Sequence, residues 1–322
     1  MHSKEKTCAR VVFFGTSEFA IPSLEALLEH GYTVLAAVTT PDKPSGRKNI
    51  LTPPSVKVAA KLRGISVFQP QLLTTPEFFN AIRELAPDLF VTAAYGTVIP
   101  KKILDVPARG ALNVHPSLLP RWRGPSPIQY AMLQGDTETG VTIMQMDALM
   151  DHGPIVVQRP LEISKTTYPE LHDALAKLGA ELLIETLPLY FDGAITLTAQ
   201  DHVKATYSKK ITKADGRIDW SRPAEHIERM VRAFTPWPGT WTTWPSANGV
   251  LRLKIEAAAV TDDHSQARSV PGTVWRSALY PLAVTTGKRG LAVSSLILEG
   301  KKATDAFSFV HGHSEIIGVV LI

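Results

Sequence analysis

The chain has 322 residues, a length that suggests about two globular domains, with 44% apolar residues, 20% charged residues and a net charge of +4. Its single cysteine, Cys8, excludes a disulfide framework and a multi-cysteine metal site and fits a reducing compartment. No N-terminal signal segment and no run of about 18 apolar residues occurs, so we expect a cytoplasmic protein without a membrane partner.

Short apolar runs alternate with helical patterns through the first part of the chain. This alternation predicts an α/β domain with a parallel sheet and helices on both faces. A T-x-x-E capping box at Thr167 and Glu170 predicts the start of a long helix, and Thr16 or Ser17 is expected to cap the first helix. Strands are expected at 9–15, 32–40, 140–147 and 153–163, helices at 17–31 and 166–193, and a helix followed by a strand at 75–96.

The pattern changes after Gly193, where few apolar residues recur in phase. We predict a catalytic domain over 1–193, a surface linker over 194–214 and a smaller domain over 215–322. The smaller domain is expected to begin with a helix near Pro223–Phe234 and to continue as short strands separated by turn residues, which is typical of a small β-barrel.

Charge is distributed unevenly between these parts. From Tyr207 onward the chain carries 15 Lys and Arg against 10 Asp and Glu, a net +5, whereas the first 206 residues carry 19 against 20, a net −1. A basic second part is typical of a surface that meets a polyanion, although an indiscriminately basic domain is an equal alternative on charge alone.

Asn113 and His115 lie two residues apart at the end of an apolar run, so a strand places both side chains on one face. Pro116 ends that strand, which puts both groups at the carboxyl end of a parallel strand, where open α/β sheets bind ligands. An amide and an imidazole here could stabilise an oxygen that gains negative charge. The alternative is a buried histidine and asparagine whose hydrogen bonds are satisfied within the fold.

Asp151 lies in a loop between two apolar strands, just before Gly153. Its carboxylate could accept a proton or hold a catalytic imidazole. The alternative is a turn residue, because Asp before Gly is common in such loops.

Several familiar motifs are missing from the sequence: the dinucleotide-binding G-x-G-x-x-G, the phosphate-binding Walker A loop, the H-E-x-x-H zinc motif and the G-x-S-x-G nucleophile turn. We therefore expect direct group transfer without a metal and without a covalent enzyme intermediate.

The Pro- and Gly-rich loop over 39–49 carries Lys43, Arg47 and Lys48 against Asp42. Such a loop can close over a charged ligand, or it can simply be a solvated surface loop.

Two stretches together resemble one family. Residues 114–155, from "VHPSLLP" to "DHGPI", resemble the signature of the folate-dependent formyltransferase family. Residues 217–241, "RIDWSRPAEHIERMVRAFTPWPGTW", resemble the C-terminal domain of members that formylate methionyl-tRNA. The resemblance extends from about Arg10 to Lys302, and the apolar tail after Lys302 departs from it.

The resemblance implies a Rossmann-like N-terminal domain that holds 10-formyltetrahydrofolate and an OB-like C-terminal barrel that helps to hold tRNA. The implied reaction transfers the formyl group to the α-amine of methionine on initiator methionyl-tRNA, without a metal. The implied site residues are Asn113, His115 and Asp151 for catalysis, Ser117, Leu118, Leu119 and Pro120 for folate, and Lys43, Arg47 and Lys48 for the tRNA acceptor end.

Arg121 and Arg123 are then expected to add positive charge near phosphates or near the glutamate tail of folate, unless they only pair with surface carboxylates. Two rival functions share these motifs in part. One is formyl transfer to an amino sugar or hydrolysis that releases formate. The other is a non-catalytic tRNA-binding module, against which the intact Asn113, His115 and Asp151 argue.

Overall fold

The computed structural model describes residues 9–45, 49–246, 249–263 and 269–322. The chain divides into two compact units, and the first continues past residue 193 to Lys209. The functional division into 1–193, 194–214 and 215–322 stays a prediction. The first unit comprises Met1–Pro127, Glu138–Glu162 and His172–Lys209, and the second comprises Ile128–Thr137, Ile163–Leu171 and Lys210–Ile322.

Nine strands precede the long helix of the chain. Seven of them form one sheet in the order β5-β2-β1-β6-β7-β8-β9, and β3 pairs with β4 in a separate ribbon. The strands are β1 (Arg10–Gly15), β2 (Thr33–Val38), β3 (Lys43–Ser45), β4 (Ile50–Thr52), β5 (Ser66–Phe68), β6 (Leu89–Ala93), β7 (Ala111–His115), β8 (Glu138–Gln145) and β9 (Ile155–Glu162).

The large sheet is a Rossmann-like parallel sheet with an antiparallel edge. Strands β1, β2, β5, β6 and β7 pair in parallel, whereas β8 pairs antiparallel with both β7 and β9. Across three parallel strands, Phe14, Thr92 and Asn113 are neighbours in register. The predicted parallel sheet is therefore confirmed, and β8 and β9 extend it as a hairpin.

Apolar runs form the central strands because these strands are covered on both faces. Val12 and Phe14 of β1 pack with Phe90 of β6 in one hydrophobic cluster, together with residues of two helices. Their neighbours Val11 and Phe13 are equally buried on the opposite face. The first predicted strand thus has the double burial that its continuous apolar sequence indicates.

Eight α-helices are assigned among the described residues. The capping box is confirmed, because Glu170 Oε2 accepts hydrogen bonds from the Thr167 amide at 2.7 Å and hydroxyl at 2.8 Å. The cap predicted for the first helix is wrong: the Thr16 hydroxyl donates instead to the Tyr95 carbonyl, and a 3₁₀ turn preceded by Ser17, which makes no side-chain cap bond, leads into α1. The helices are α1 (Ile21–Glu29), α2 (Ser55–Leu62), α3 (Pro76–Glu84), α4 (Lys101–Leu104), α5 (Pro127–Gln134), α6 (Tyr168–Phe191), α7 (Ala224–Ala233) and α8 (Ala306–Gly312).

Over the part of the chain that the structure describes, no helix combines the length and the apolar character needed to span a bilayer.

The second unit contains an antiparallel sheet in the order β10-β11-β14-β13-β12, with β15 also paired to β14. Within the described ranges no pairing joins β10 to β12, so the sheet is open and the OB-like barrel stays a prediction. The strands are β10 (Thr240–Ser246), β11 (Gly249–Thr261), β12 (Val274–Trp275), β13 (Ala283–Thr285), β14 (Gly290–Leu298) and β15 (Ala303–Asp305).

One hydrophobic cluster holds the second unit together. It joins Trp220 and Ile227 to Trp244 and Leu296. Leu321, near the end of the chain, belongs to the same cluster. The apolar tail after Lys302 is therefore part of this core, which explains its composition.

The Pro- and Gly-rich loop contains more order than its composition predicts. Strands β3 and β4 pair antiparallel, with Ser45 opposite Ile50. Ile50 and Leu51 are 62% and 63% exposed, so this ribbon presents apolar side chains to solvent.

Candidate active site

Strand β7 places Asn113 and His115 on one face at its carboxyl end, as the spacing predicts. His115 is 4% exposed and lies opposite Thr142 of β8. Asn113 is half-buried, and its side-chain amide makes no hydrogen bond within the described part of the chain. The edge of the sheet therefore presents one amide whose hydrogen-bonding groups are available to a ligand.

The turn after β7 is held by its own hydroxyl and by a neighbouring strand. The Ser117 hydroxyl donates to the Arg121 carbonyl at 2.6 Å, which closes the turn. Thr142 Oγ1 donates to the Ser117 carbonyl at 2.6 Å and accepts from the Leu119 amide at 3.1 Å. Gln158 Nε2 donates to the Leu119 carbonyl at 2.8 Å. The backbone of residues 117–121 is thus fixed by β8 and β9.

Within this turn the predicted folate residues differ in exposure. Ser117 and Leu119 are buried, and Leu118 and Pro120 are half-buried. The Ser117 hydroxyl is already used inside the turn, so Leu118 and Pro120 offer more of their surface to a ligand.

Oxygen atoms lie near both ring nitrogens of His115. Nε2 is 3.2 Å from the Trp122 carbonyl oxygen, and Nδ1 is 3.5 Å from Asp151 Oδ1. Only the imidazolium, which carries a proton on each nitrogen, can donate in both directions. The 3.5 Å separation at Nδ1 is longer than an ordinary N–H···O hydrogen bond, so the contact with Trp122 is the closer of the two.

Asp151 fits both of the roles that the sequence suggests for it, a turn residue and a partner of the imidazole. It occupies the left-handed region at φ 49°, as a turn residue can, and its carboxylate also faces His115. Asp151 Oδ2 accepts a 2.7 Å hydrogen bond from the Gly124 amide, which leaves Oδ1 toward the imidazole. The structure therefore places Asp151 beside the carboxyl end of β7, where Asn113 and His115 lie.

Gly153 allows the loop that carries Asp151 to lie close against β8. A Cβ at this position would overlap the carbonyl oxygen of Gln145 and crowd the Asp147 amide. Glycine is thus required for this close approach of two backbone segments.

The expectation for Arg123 is wrong. The side chain is 2% exposed, so it contributes neither a surface ion pair nor an accessible phosphate contact. Its Nε and Nη2 donate to Gln200 Oε1 at 3.1 and 2.6 Å, and Nη2 lies 2.9 Å from His202 Nδ1. Arg121 remains exposed, with its guanidinium 5.4 Å from the centre of the Trp122 ring.

Residues of the segment predicted as a linker contact this site, and sequence reasoning missed them. Gln200 and Ser208 are buried. The Arg123 amide donates to the Thr206 carbonyl at 2.9 Å, and the Ser208 amide donates to the Arg123 carbonyl at 2.7 Å. The Trp122 amide donates to Thr206 Oγ1 at 2.9 Å. The segment has no hydrophobic period, so the sequence carries no signal for these backbone contacts.

The side chain of His152 contacts residues other than His115. Its Nδ1 lies 2.6 Å from Asp147 Oδ2, and its ring stacks on His202 with centroids 4.1 Å apart and planes 5° apart.

Of the residues predicted to meet tRNA, Lys43 is exposed on β3, while Arg47 and Lys48 lie outside the described residues. The Lys57 ammonium is 2.7 Å from Asp42, and together with a hydrogen bond from Gln69 it lowers the pKa of the Asp42 carboxyl below its ordinary value. Asp42 is thus paired within the fold with Lys57 and Gln69, and no ion pair is assigned to Lys43 among the described residues.

No group of three or more His, Cys, Asp or Glu side chains is arranged to hold a metal ion in residues 9–45, 49–246, 249–263 and 269–322.

Comparison with known proteins finds a family match for each of two parts of the chain. Residues 9–187 match the family described as formyl transferase, and residues 210–314 match the formyl transferase C-terminal domain. A methionyl-tRNA formyltransferase from Chloroflexus aggregans is 47% identical over 285 residues, covering 88% of this chain and 90% of the relative.

Two solved structures share the fold at lower identity. An N-formyltransferase from Helicobacter canadensis, solved with folinic acid and dTDP-3-aminofucose, superimposes with a TM-score of 0.63 at 18% identity, covering 88% of this chain and 99% of that one. HypX from Aquifex aeolicus, solved with tetrahydrofolic acid, gives a TM-score of 0.60 at 15% identity. That match covers 97% of this chain and 48% of HypX, so the present chain spans about half of that protein.

Proposed function

The chain belongs to the formyl transferase family, and we propose that it transfers a formyl group from 10-formyltetrahydrofolate to the α-amine of methionine on initiator methionyl-tRNA. The observation that carries the chemistry is the grouping of Asn113, His115 and Asp151 at the carboxyl end of β7. Such an edge is where open α/β sheets bind their ligands.

Asn113 and His115 act on the formyl oxygen in this proposal. The amide of Asn113 is available to donate, because no described residue occupies it. His115 Nε2 lies 3.2 Å from the Trp122 carbonyl, so we assign Nδ1, whose contact with Asp151 is longer, as the donor to the formyl oxygen. Two donors aimed at an oxygen that gains negative charge lower the barrier to attack by the amine.

Asp151 has two roles in the same step. Its negative charge lies 3.5 Å from His115 Nδ1 and stabilises positive charge that develops on the imidazole during the reaction. It also accepts the proton that the amine loses when the new N–C bond forms, and this proton passes on to N10 as the bond from the formyl carbon to N10 breaks and tetrahydrofolate leaves. Because Gly124 holds the other carboxylate oxygen, the charge stays directed at the reacting groups.

The folate is the source of the formyl group, and the turn over 117–120 fits it. The turn lies directly after the catalytic strand and is held rigidly by Thr142 and Gln158. Its half-buried Leu118 and Pro120 supply apolar surface for a flat ring, while Ser117 and Leu119 shape the backbone around it. Rigid apolar walls with a few polar groups are typical of small-molecule sites.

The second unit is the proposed tRNA-binding part, folded in an OB-like manner. Its support is the net charge of +5 from Tyr207 onward and the match of 210–314 to the family's C-terminal domain. Lys43, Arg47 and Lys48 are proposed to meet the acceptor end. The single cysteine fits work in a reducing cytoplasm.

The function is tested by incubating the full chain with initiator methionyl-tRNA and 10-formyltetrahydrofolate labelled in the formyl group. We expect label in acid-precipitable RNA, and in formylmethionine after the ester bond is hydrolysed. Matched reactions contain elongator methionyl-tRNA or a dTDP-linked amino sugar. Label that enters only the sugar nucleotide, or that is released only as formate, would contradict the proposal.

A further inference from the structure

We propose that Gln200, oriented by buried Arg123, is a positioning residue that holds Asp151 against His115. The proposal rests on the catalytic role proposed for Asp151. It concerns a segment, residues 198–208, that contains none of the residues assigned to catalysis or substrate binding.

The side chain of Gln200 holds the backbone of the Asp151 loop on both sides of His152. Nε2 donates to the Asp151 carbonyl at 3.0 Å and to the Gly153 carbonyl at 2.7 Å. Gln200 is 5% exposed, so water does not compete freely for these bonds. An amide NH₂ has two donors, and both are used on this one loop.

Arg123 determines which way the Gln200 amide faces. Its Nε and Nη2 converge on Oε1 at 3.1 and 2.6 Å. A guanidinium has only donors, so the oxygen of the amide must face it and the NH₂ must face the loop. Because Arg123 is buried and its own backbone is held by Thr206 and Ser208, this orientation is fixed from within the fold.

The same short segment also holds the carboxylate. The Gly124 amide, one residue after Arg123, donates to Asp151 Oδ2 at 2.7 Å. Asp151 is thus held at its side chain by Gly124 and at its carbonyl by Gln200, while its backbone is in the left-handed region at φ 49°. Aspartate tolerates that conformation better than most non-glycine residues, but it still has a cost that contacts with the surroundings offset. Gln200, oriented by Arg123, supplies one of these contacts.

The functional consequence follows from the geometry of proton transfer. A displacement of about 1 Å of a catalytic group can cost about 10²-fold in rate. Neither Gln200 nor Arg123 is exposed enough to touch substrate, so their loss should act on kcat and leave the KM values for folate and tRNA nearly unchanged.

The first test is Gln200→Glu in the full chain. The carboxylate still accepts from Arg123, so the buried charge stays paired, but both donors to the Asp151 loop are lost. We expect kcat to fall about 10- to 100-fold with little change in either KM. Gln145→Glu is the matched control, because the side-chain amide of Gln145 donates to the Tyr190 hydroxyl of α6 instead of to the Asp151 loop. Its kcat should stay close to wild type.

A double-mutant cycle with Asp151→Asn separates positioning from a general loss of structure. If Gln200 acts through Asp151, Gln200→Glu should lower single-turnover rates far less in the Asp151→Asn background than in the wild type. Equal fold losses in both backgrounds, or a wild-type kcat for Gln200→Glu, would overturn the proposal. A fully active Asp151→Asn enzyme would instead refute the catalytic role of Asp151, so the two failures are distinguishable.

Arg123→Lys provides a second, conservative variant. Lysine keeps the charge but offers one ammonium where the guanidinium has a planar fork. We expect a smaller loss of kcat than for Gln200→Glu, again without a change in KM. A change confined to KM would place Arg123 in substrate binding and overturn its assignment here.

Discussion

The Trp122 carbonyl oxygen lies 3.2 Å from His115 Nε2, and Trp122 directs it there from a left-handed backbone conformation at φ 56°. A bulky residue rarely adopts that conformation, so the turn that follows β7 imposes it. One ring nitrogen of His115 is therefore engaged by the protein backbone. The other, Nδ1, is the one that faces Asp151.

The first prediction concerns His115 itself. His115→Ala removes one of the two proposed donors to the formyl oxygen, so kcat should fall on the order of 10²–10³-fold, while folate binding is largely kept. Steady-state kinetics and a direct folate-binding titration measure the two quantities separately. Turnover within a few-fold of wild type would reject the role of His115.

Asp151→Asn tests the charge at the second position. The amide oxygen can still accept from the Gly124 amide, so the loop should keep its place, but the imidazolium loses its negative partner. We expect kcat to fall by about 10²-fold or more. Circular dichroism and the melting temperature provide the control for folding. Full activity would mean that Asp151 is only a turn residue.

Gly153→Ala tests whether the loop must lie against β8. The added Cβ would overlap the Gln145 carbonyl, a backbone atom that cannot move without shifting the strand. We expect a loss of about 1–3 kcal/mol in the free energy of unfolding together with reduced kcat. Gly312→Ala is the control, because its Cβ would meet nothing within 4 Å. If both variants behave alike in thermal melts and in turnover, the close approach has no consequence.

His226 predicts a pH dependence of stability in the second unit. Burial, followed by the charges of Arg222 and Arg229, lowers the pKa of His226 below its ordinary value of 6.5. The unfolded chain therefore binds more protons than the folded chain below about pH 6.5, so stability should decline as pH falls through that value toward the lower folded pKa.

His226→Gln removes the contribution of this histidine to the pH dependence of stability. Melting temperatures of wild type and variant, measured from pH 8 downward, should show a shallower decline for the variant below about pH 6.5. Their difference at pH 8, where the wild-type histidine is neutral in both states, reports only the change in packing. Parallel curves over the whole range would contradict the prediction.

Arg47 lies outside the described residues, and the prediction for it comes from the sequence. Arg47→Ala should weaken use of methionyl-tRNA by about 1–3 kcal/mol in the specificity constant, the range of a good bidentate contact. Arg47→Lys should restore this only in part, because lysine lacks the planar fork. Folate affinity without tRNA should not change. Wild-type behaviour of both variants would mean that the acceptor end is held elsewhere.

The elements that sequence could predict are those with local causes. The double burial of β1 follows from an unbroken apolar run, and the start of α6 follows from the Thr167 and Glu170 pair. The shared face of Asn113 and His115 follows from the two-residue period of a strand. Each of these features depends on neighbours within a few residues, which a sequence displays directly.

The features that could not be predicted depend on contacts between distant parts of the chain. Arg123 looks like surface charge in the sequence because its partner Gln200 is 77 residues away. The antiparallel direction of β8 and β9 depends on the turn that reverses the chain, and two apolar runs do not specify it. Side-chain contacts between distant residues produce no repeating pattern in the sequence from which they could be predicted.

Residues 198–208 contact the turn after β7 but are translated after it. This has a consequence for when the enzyme becomes complete during synthesis on the ribosome. A nascent chain that has emerged only as far as Gly193 already contains every residue proposed to act on the formyl group. It still lacks Gln200, which holds the loop of Asp151, and Thr206 and Ser208, which hold the backbone of Arg123. Because the chain is made from its N-terminus, catalytic competence should arise late in translation, when the strand, turn and loop made earlier receive their last supports.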